Sequence, residues 1–426
     1  MMVGVFVISL ALISMSGACK FESSSFNITG IVCRMTKPAA LVLNQHTAQV
    51  IQAAFRHASY PDISGEKSMS FLGKVAYGLT NIQINDLSIE NSTVDFKEDD
   101  AIDIAIQNVT ASFKGTLSYG YTGAWFVKLT HAIDFEIESS IDLQISTKLM
   151  CAKGRVAADT SDCYLTFHKL TLHLQGDKQP GWLKQLFTDF ISFTLKLVLK
   201  GQVCKEINFL AQLLADFIQD RAENFLQDGA IGVDISLTSF PVIKANYMES
   251  HHKGLLLYKN YSVIFNDSMF APSLLSESRM LYFWFSDHVL NSLALAAFLD
   301  ERLVLMIPGN ELREVTVTIQ PAYVEKKLVL HLADSVIEPK AFKCALERPE
   351  DDKSLRHFLQ KIISVAGIPE VISRIEPALT SLMNSKGLNL FEIKNPEIIT
   401  KEGYLIIQLD FGFPHHLLVD FLKKTL

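Results

Sequence analysis

The sequence predicts an α+β protein in which one plan, helix then strands then long helix then strand, is used twice. Three observations predict it. The first is alternation of apolar and polar residues in Ile82-x-Ile84, Ile102-x-Ile104-x-Ile106, Ile133-x-Phe135-x-Ile137, Ile141-x-Leu143-x-Ile145 and Leu170-x-Leu172-x-Leu174. That period belongs to sheets with one dry face and one wet face. The second is a following segment too apolar for one sheet face, carrying Trp182, Leu183, Leu186, Phe187, Phe190, Ile191, Phe193, Leu197, Leu210, Leu214, Phe217 and Ile218. The third is the recurrence of the same order of elements after residue 280.

In order along the chain, Pro38 in Thr36-Lys37-Pro38 suits a first helical turn, and the spacing predicts a helix to about Ser59. Tyr60-Pro61-Asp62 breaks it, and strands are expected to about Gly176. Gln179-Pro180-Gly181 then turns into the long helix, which Gly201 is expected to bend. Ile231 to Leu237 reads as a strand. In the second half, a strand over Met280–Phe285 and a helix from Ser286 to about Phe298 precede strands at Leu303–Ile307, Val315–Ile319 and Leu328–Leu332. A helical region from Ser354 to Met383 is expected to break at Pro369 and Pro377. Strands at Leu388–Ile393 and Tyr404–Phe411 follow. This gives a first domain over 19–240, a central linker and sheet over 241–275, and a second domain over 276–412. The strand content of the second half is thin for a closed barrel.

The tail is a separate element over 413–426. Phe413, Leu417, Leu418, Phe421 and Leu422 fall on one helical face, with His415, His416, Asp420, Lys423 and Lys424 opposite. Such a stripe packs on a core, covers a cavity as a detachable lid, or lies on a lipid surface.

The chain has 426 residues, of which 49% are hydrophobic, and a formal net charge of −7. The charge argues against nucleic acid and against strongly anionic surfaces as partners. The apolar surplus must be core or the lining of a ligand cavity, most naturally for lipid. Residues 1–18 read as a signal peptide, with an apolar run from Val3 to Ile13 and small residues Ser16-Gly17-Ala18. No later window is apolar enough to span a membrane. A secreted, extracellular chain is expected, with sequons at Asn27, Asn91, Asn108, Asn260 and Asn266. The six cysteines, Cys19, Cys33, Cys151, Cys163, Cys204 and Cys344, form no C-x-x-C pair, and no metal site is expected. No G-x-S-x-G elbow, H-E-x-x-H or phosphate-binding glycine loop is present, so neither an enzyme nor a cofactor is expected. Ser250-His251-His252 is not read as catalytic, because triads are defined by geometry and not by adjacency.

Several long runs resemble one family. They are Gly30-Ile31-Val32-Cys33-Arg34 with Thr36-Lys37-Pro38, Ala58-Ser59-Tyr60-Pro61-Asp62-Ile63, Asp162-Cys163-Tyr164-Leu165, and Leu195-Lys196-Leu197-Val198-Leu199-Lys200. Glu249-Ser250-His251-His252-Lys253-Gly254, Arg279 through Ser286, and Asp410-Phe411-Gly412-Phe413-Pro414 complete the set. They resemble the family of bactericidal/permeability-increasing and lipopolysaccharide-binding proteins, and in particular its neutral-lipid transfer branch.

The resemblance implies an elongated boomerang of two twisted β-barrels with long packing helices and a central antiparallel sheet. It implies an apolar tunnel that carries cholesteryl ester and triglyceride between lipoprotein particles in plasma, with phospholipid at its openings and a monomeric chain. It implies a disulfide between Cys163 and Cys204. It places Gln219, Arg221, Ser250 and His252 near a narrow neck as polar contacts to lipid esters, and Phe283 and Phe285 on the tunnel wall. It also implies a departure. About sixty residues expected after Gly309-Asn310-Glu311 are missing, which shortens the second barrel and would leave unpaired edges. Two other readings remain at this point: a lipopolysaccharide-binding recognition protein of the same fold, and a transfer-deficient shortened form. Glu90, Asp95, Glu98, Asp99 and Asp100 crowd the region where the first of these wants cations.

Overall fold

The computed structural model describes residues 19, 29–69, 73–89, 91–122, 128–175, 181–187, 191–259, 261–262, 278–300, 315–337, 357–358, 360–385, 392–412 and 415–425. The expected signal peptide, Asn27, Asn260, Asn266, Cys344, Phe413 and the expected strand Leu303–Ile307 lie outside the described residues.

The first half runs β1 (Ile31–Thr36), α1 (Lys37–Asn44), α2 (Thr47–His57), β2 (Ile63–Met69), β3 (Gly73–Ser88), β4 (Asn91–Lys97), β5 (Ala101–Thr122), β6 (Lys128–Ala152), β7 (Arg155–Leu174), α3 (Gly181–Leu186) and α4 (Ser192–Phe225). Next come β8 (Ile231–Asp234), β9 (Val242–Ile243), β10 (Tyr247–His252), β11 (Leu255–Tyr258) and β12 (Tyr261–Ser262). The second half is β13 (Leu281–Ser286), α5 (Asp287–Leu299), β14 (Val315–Val324), β15 (Lys327–Ile337), a π-helical turn Ile363–Gly367, α6 (Ile368–Ser385), β16 (Glu392–Lys401), β17 (Tyr404–Gly412) and α7 (His415–Thr425).

The alternating segments are fewer and longer than their sequence pattern suggests. Ile133 through Ile145 lie on one strand, β6, whose register shifts between Ser140 and Ile141. Bulges of this kind bend long strands and tighten the twist. Strands β2 to β7 form one antiparallel sheet, and α2 and α4 close its dry face. Leu79, Phe113, Leu117, Phe135 and Ile137 on the sheet meet Phe55 on α2 and Leu195, Leu199 and Val203 on α4, all buried. This interior is filled by side chains.

Three expected boundaries differ. The first helix ends at Asn44 because its amide donates to the Ser92 carbonyl and its own carbonyl accepts from the Ser92 hydroxyl, which turns the chain before α2. Gly201 sits inside an uninterrupted α4, since buried Leu199 and Val203 hold the backbone on both sides of it. Pro377 likewise lies within α6. Glu376 and Thr380 anchor that helix on either side by accepting hydrogen bonds from the Leu330 and Leu328 backbone amides. Of the strand expected at Leu388–Ile393, residues 388–391 lie outside the described residues, and β16 is described from Glu392.

The two halves share a device absent from any sequence pattern. On β7, the free-edge amides of Val156 and Thr160 donate to the side-chain oxygens of Gln219 and Asn208 on α4. On β15, Leu328 and Leu330 are capped by α6 in the same way. In each half a helix meets the amides of a strand edge that has no other strand paired to it among the described residues. The sheets differ in size: six strands in the first half, against the β14–β15 pair among the described residues of the second.

Between them lies a six-stranded antiparallel sheet in the order β16-β17-β13-β1-β10-β9. Its strand β1 pairs with β10 on one side and β13 on the other. The expected central sheet is therefore built from both halves of the chain.

Candidate functional site

Register fixes which central-sheet residues share a face. Cys33 lies opposite both Ser250 and Phe283, and Phe283 opposite Ile407. Ile31 lies opposite both His252 and Phe285, and Phe285 opposite Leu405. These residues form one face. Val32, Arg34, Glu249, His251, Tyr282, Trp284, Ile406 and Gln408 form the other.

The two faces are covered in an unexpected sense. The second face carries the charges and is dry: Trp284 is 1% exposed and Ile406 fully buried. Arg34 is buried there, with its Nη2 2.7 Å from Glu249 Oε2 and its guanidinium 4.0 Å from the Tyr247 ring centroid. His251 Nε2 lies 2.7 Å from the other Glu249 oxygen. Burial alone would raise the Glu249 carboxyl, but its bonds with His251 and Arg34 outweigh burial and hold it below the ordinary glutamate range. The first face is apolar, yet Leu281, Phe283, Phe285, Leu405, Ile407 and Leu409 are only half-buried. At its ends it is closed. Met35 and Met248 join Val94 and Phe96 of β4, while Ile31 and Phe285 join Ile235 and Val289.

Within this half-covered face sit two of the expected polar residues. The Ser250 hydroxyl lies 2.8 Å from His252 Nε2, and His252 Nδ1 lies 2.7 Å from the Ile235 carbonyl. Desolvation lowers the His252 pKa, so the ring is neutral at neutral pH. Beside them is Cys33, a free thiol that burial first and Glu249 second push up to about 12. Nothing in the sequence pattern singled out Cys33.

The other two expected polar residues are elsewhere. Gln219 is buried and its oxygen is committed to the Val156 amide 3.0 Å away. Arg221 is exposed, with its guanidinium 5.1 Å from the Phe217 ring centroid. Two residues apart on a helix, they point in different directions. Phe217 in turn meets Phe421 of α7 at 4.9 Å between centroids. The tail thus folds back onto α4, burying Leu418 and Phe421 and half-burying Leu422. A cavity of about 370 Å³ runs between α7 and α2, lined by Gln52, Ala53, Arg56, Leu422 and Lys423 among others. The Leu417 side chain lies outside the described residues.

The remaining apolar surplus faces outward on α4, where Phe193 is 65% and Ile218 61% exposed. Cys163 is bonded to Cys204, pinning β7 to α4, and a second disulfide joins Cys19 to Cys151. Asn108 is exposed at a bulge of β5 with φ of 56°, and Asn91 opens β4. No group of metal-ligating side chains occurs among the described residues, and no described helix is long and apolar enough to cross a membrane.

The sequence profile for the N-terminal domain of the LBP / BPI / CETP family matches residues 41–217, and that for its C-terminal domain matches 226–338. The chain belongs to this family. It is 58% identical to a cholesteryl ester transfer protein of Gallus gallus, over 100% of this chain and 99% of that one. It is 49% identical to that of Homo sapiens, over 98% and 99%. A lipopolysaccharide-binding protein of Mus musculus is 25% identical over 62% of this chain and 54% of that one. Among solved structures, a lipopolysaccharide-binding protein superposes with a TM-score of 0.58 at 15% identity, covering 91% of this chain and 100% of that one. That likeness confirms the fold expected for the family. The alignment with the chicken protein runs over 499 positions against 426 residues here, so that relative carries residues with no counterpart in this chain.

Proposed function

We propose that this protein carries neutral lipids, cholesteryl ester and triglyceride, between lipoprotein particles, with the half-covered face of the central sheet as part of an apolar passage. The observation that carries the reading is the sheet's inverted coverage. An apolar face that is left half-bare, while the face holding Arg34, Trp284 and Ile406 is buried, leaves apolar surface for a cargo to cover. Exposing an acyl chain of about 16 carbons to water costs on the order of 13 kcal/mol at ~0.8 kcal/mol per methylene. A dry wall of Phe283, Phe285, Leu405 and Ile407 removes much of that barrier. Exchange breaks no bond and needs no nucleophile, in keeping with relatives that bind or transfer lipid.

In this reading Phe193, Leu197 and Ile218 on the outer side of α4 meet the particle surface, and α7 covers an opening of the passage. Arg221 supports α7 through Phe217. Phospholipid fills the openings. The chain acts outside the cell as a monomer with its leader removed, and the exposed Asn108 carries a glycan. Exchange of labelled cholesteryl ester between two lipoprotein populations tests the reading. Concentration-dependent transfer is expected, and its absence from a folded, lipid-loaded preparation would refute it.

The residues of the chicken relative that have no counterpart in this chain support a second statement. A form in which the second sheet is reduced transfers more weakly than one carrying the residues present in the chicken relative. Restoring that stretch is expected to raise transfer, and equal rates would sink the statement.

A further inference from the structure

We propose that Ser250 and His252 form a proton-controlled hydrogen-bond donor for lipid ester carbonyls. The inference rests on the reading that neutral lipid passes this face of the central sheet. Its basis is an accounting of hydrogens. The Ile235 carbonyl is only an acceptor, so His252 Nδ1, 2.7 Å away, must carry a proton and donate it. In the neutral ring Nε2 is then a bare lone pair. The Ser250 hydroxyl, 2.8 Å away, donates its single hydrogen to that lone pair. In this state the pair shows the passage only acceptor lone pairs. An ester carbonyl is itself an acceptor and finds no donor here, so cargo moves past without being held.

Protonation reverses the polarity. A proton taken up at Nε2 makes that nitrogen the donor and the Ser250 oxygen its acceptor. The serine hydrogen is released and turns to the ester carbonyl. One proton is gained, no bond to lipid forms or breaks, and Nδ1 keeps its bond to Ile235 throughout.

The charged groups around this pair are mostly tied to partners of their own, and His251 on the opposite face adds to the lowering of the His252 pKa by burial. On the same strand, Glu249 and His251 lie on the opposite face and are tied to each other and to Arg34 of β1. Lys253 pairs with Asp234, which also accepts from Ser236. From β1, Cys33 keeps its thiol proton. From α4, whose Ala222 packs on this corner together with Leu226 just past its end, Asp220 and Glu223 are bound to Arg155 and Arg221 lies over Phe217. From α5, Asp287 and His288 flank the buried Val289. Burial lowers the His252 pKa, so the change falls below the ordinary histidine range of about 6.5.

The test compares cholesteryl oleate with cholesteryl oleyl ether, which lacks only the carbonyl. Each is loaded in labelled form into the purified full-length protein, and its release to acceptor emulsions is followed at about pH 7.5 and about pH 5.5. One added hydrogen bond is expected to slow release of the ester at acid pH by roughly 3- to 10-fold relative to the ether. Ser250→Ala is expected to erase that difference, and His252→Gln to make it independent of pH. A general acid effect would slow both cargoes alike, and an equal response of ester and ether would overturn the inference. Histidine-selective 15N spectra give a reading without cargo. His252 is expected to carry its proton on Nδ1 at neutral pH, and a proton on Nε2 would overturn the inference. A protein that retains neither cargo at any pH would instead bring down the carrier reading and this inference with it.

Discussion

The first sheet and the central sheet carry the same two-residue alternation, yet only in the central sheet is an apolar face left half-bare. In the first sheet Phe113, Phe135 and Ile137 are buried under α2 and α4, and the polar alternates meet solvent. In the central sheet Arg34 is among the buried residues while Phe283 and Phe285 are half-bare. Alternation reports that a strand has two unlike faces. What covers each face is decided by residues far away in the chain.

That contrast breaks if truncation costs the same in both sheets. Phe135→Ala is expected to destabilise by about 3–5 kcal/mol in denaturant unfolding, the usual range for a filled core. Phe283→Ala is expected to cost roughly half as much while lowering the neutral lipid recovered with the purified protein. Equal destabilisation, or unchanged lipid content, would show that Phe283 is ordinary core.

The charged dry face offers the next test. Arg34→Met leaves Glu249 buried with His251 as its remaining hydrogen-bond partner and should cost about 3 kcal/mol, whereas Arg34→Met with Glu249→Leu should recover most of that loss. A double variant as unstable as the single one would mean that the ion pair supports the sheet directly.

A smaller effect is expected at the seam between α7 and α4. Burial of Phe421 contributes about 2 kcal/mol, so Phe421→Asp shifts the docked population of the tail by about 30-fold. Neutral-lipid exchange should fall while the cooperative unfolding midpoint moves little. Unchanged exchange by the folded variant would remove α7 from the passage.

The smallest effect is in the pH profile, where the two faces should separate. His252 has a lowered pKa, so the folded protein binds fewer protons than the unfolded chain and stability falls as pH drops below about 6.5. Glu249 also has a lowered pKa, so its contribution is complete above about 4.3 and lost as pH falls through its folded value. Acid unfolding should show two stages, and His252→Gln should remove the upper one alone.

Much of this was legible in the residues. The β13 strand and the helix after it, the terminal helix, and the shared face of Phe283 and Phe285 follow from spacing. So does the surplus on α4, which shows as buried Leu199 on one side and exposed Phe193 on another. The break at Asn44 and the continuity through Gly201 and Pro377 were not legible, because each depends on a tertiary partner that local propensity ignores. Gln219 shows the limit most clearly. Its position on the long helix is plain in the sequence, but its commitment to the edge of β7 depends on strand pairing across the whole first half. The inverted coverage of the central sheet was hidden for the same reason.

One consequence concerns how the molecule is assembled. The β1 strand leaves the ribosome early, but its neighbours β10 and β13 follow more than two hundred residues later. Until then both of its edges are unsatisfied and its apolar side chains have no home. Such long-range closure is slow and leaves a sticky nascent intermediate. A chaperone that grips the segment 31–36 during synthesis would therefore set the yield of native protein more than the stability of either lobe does.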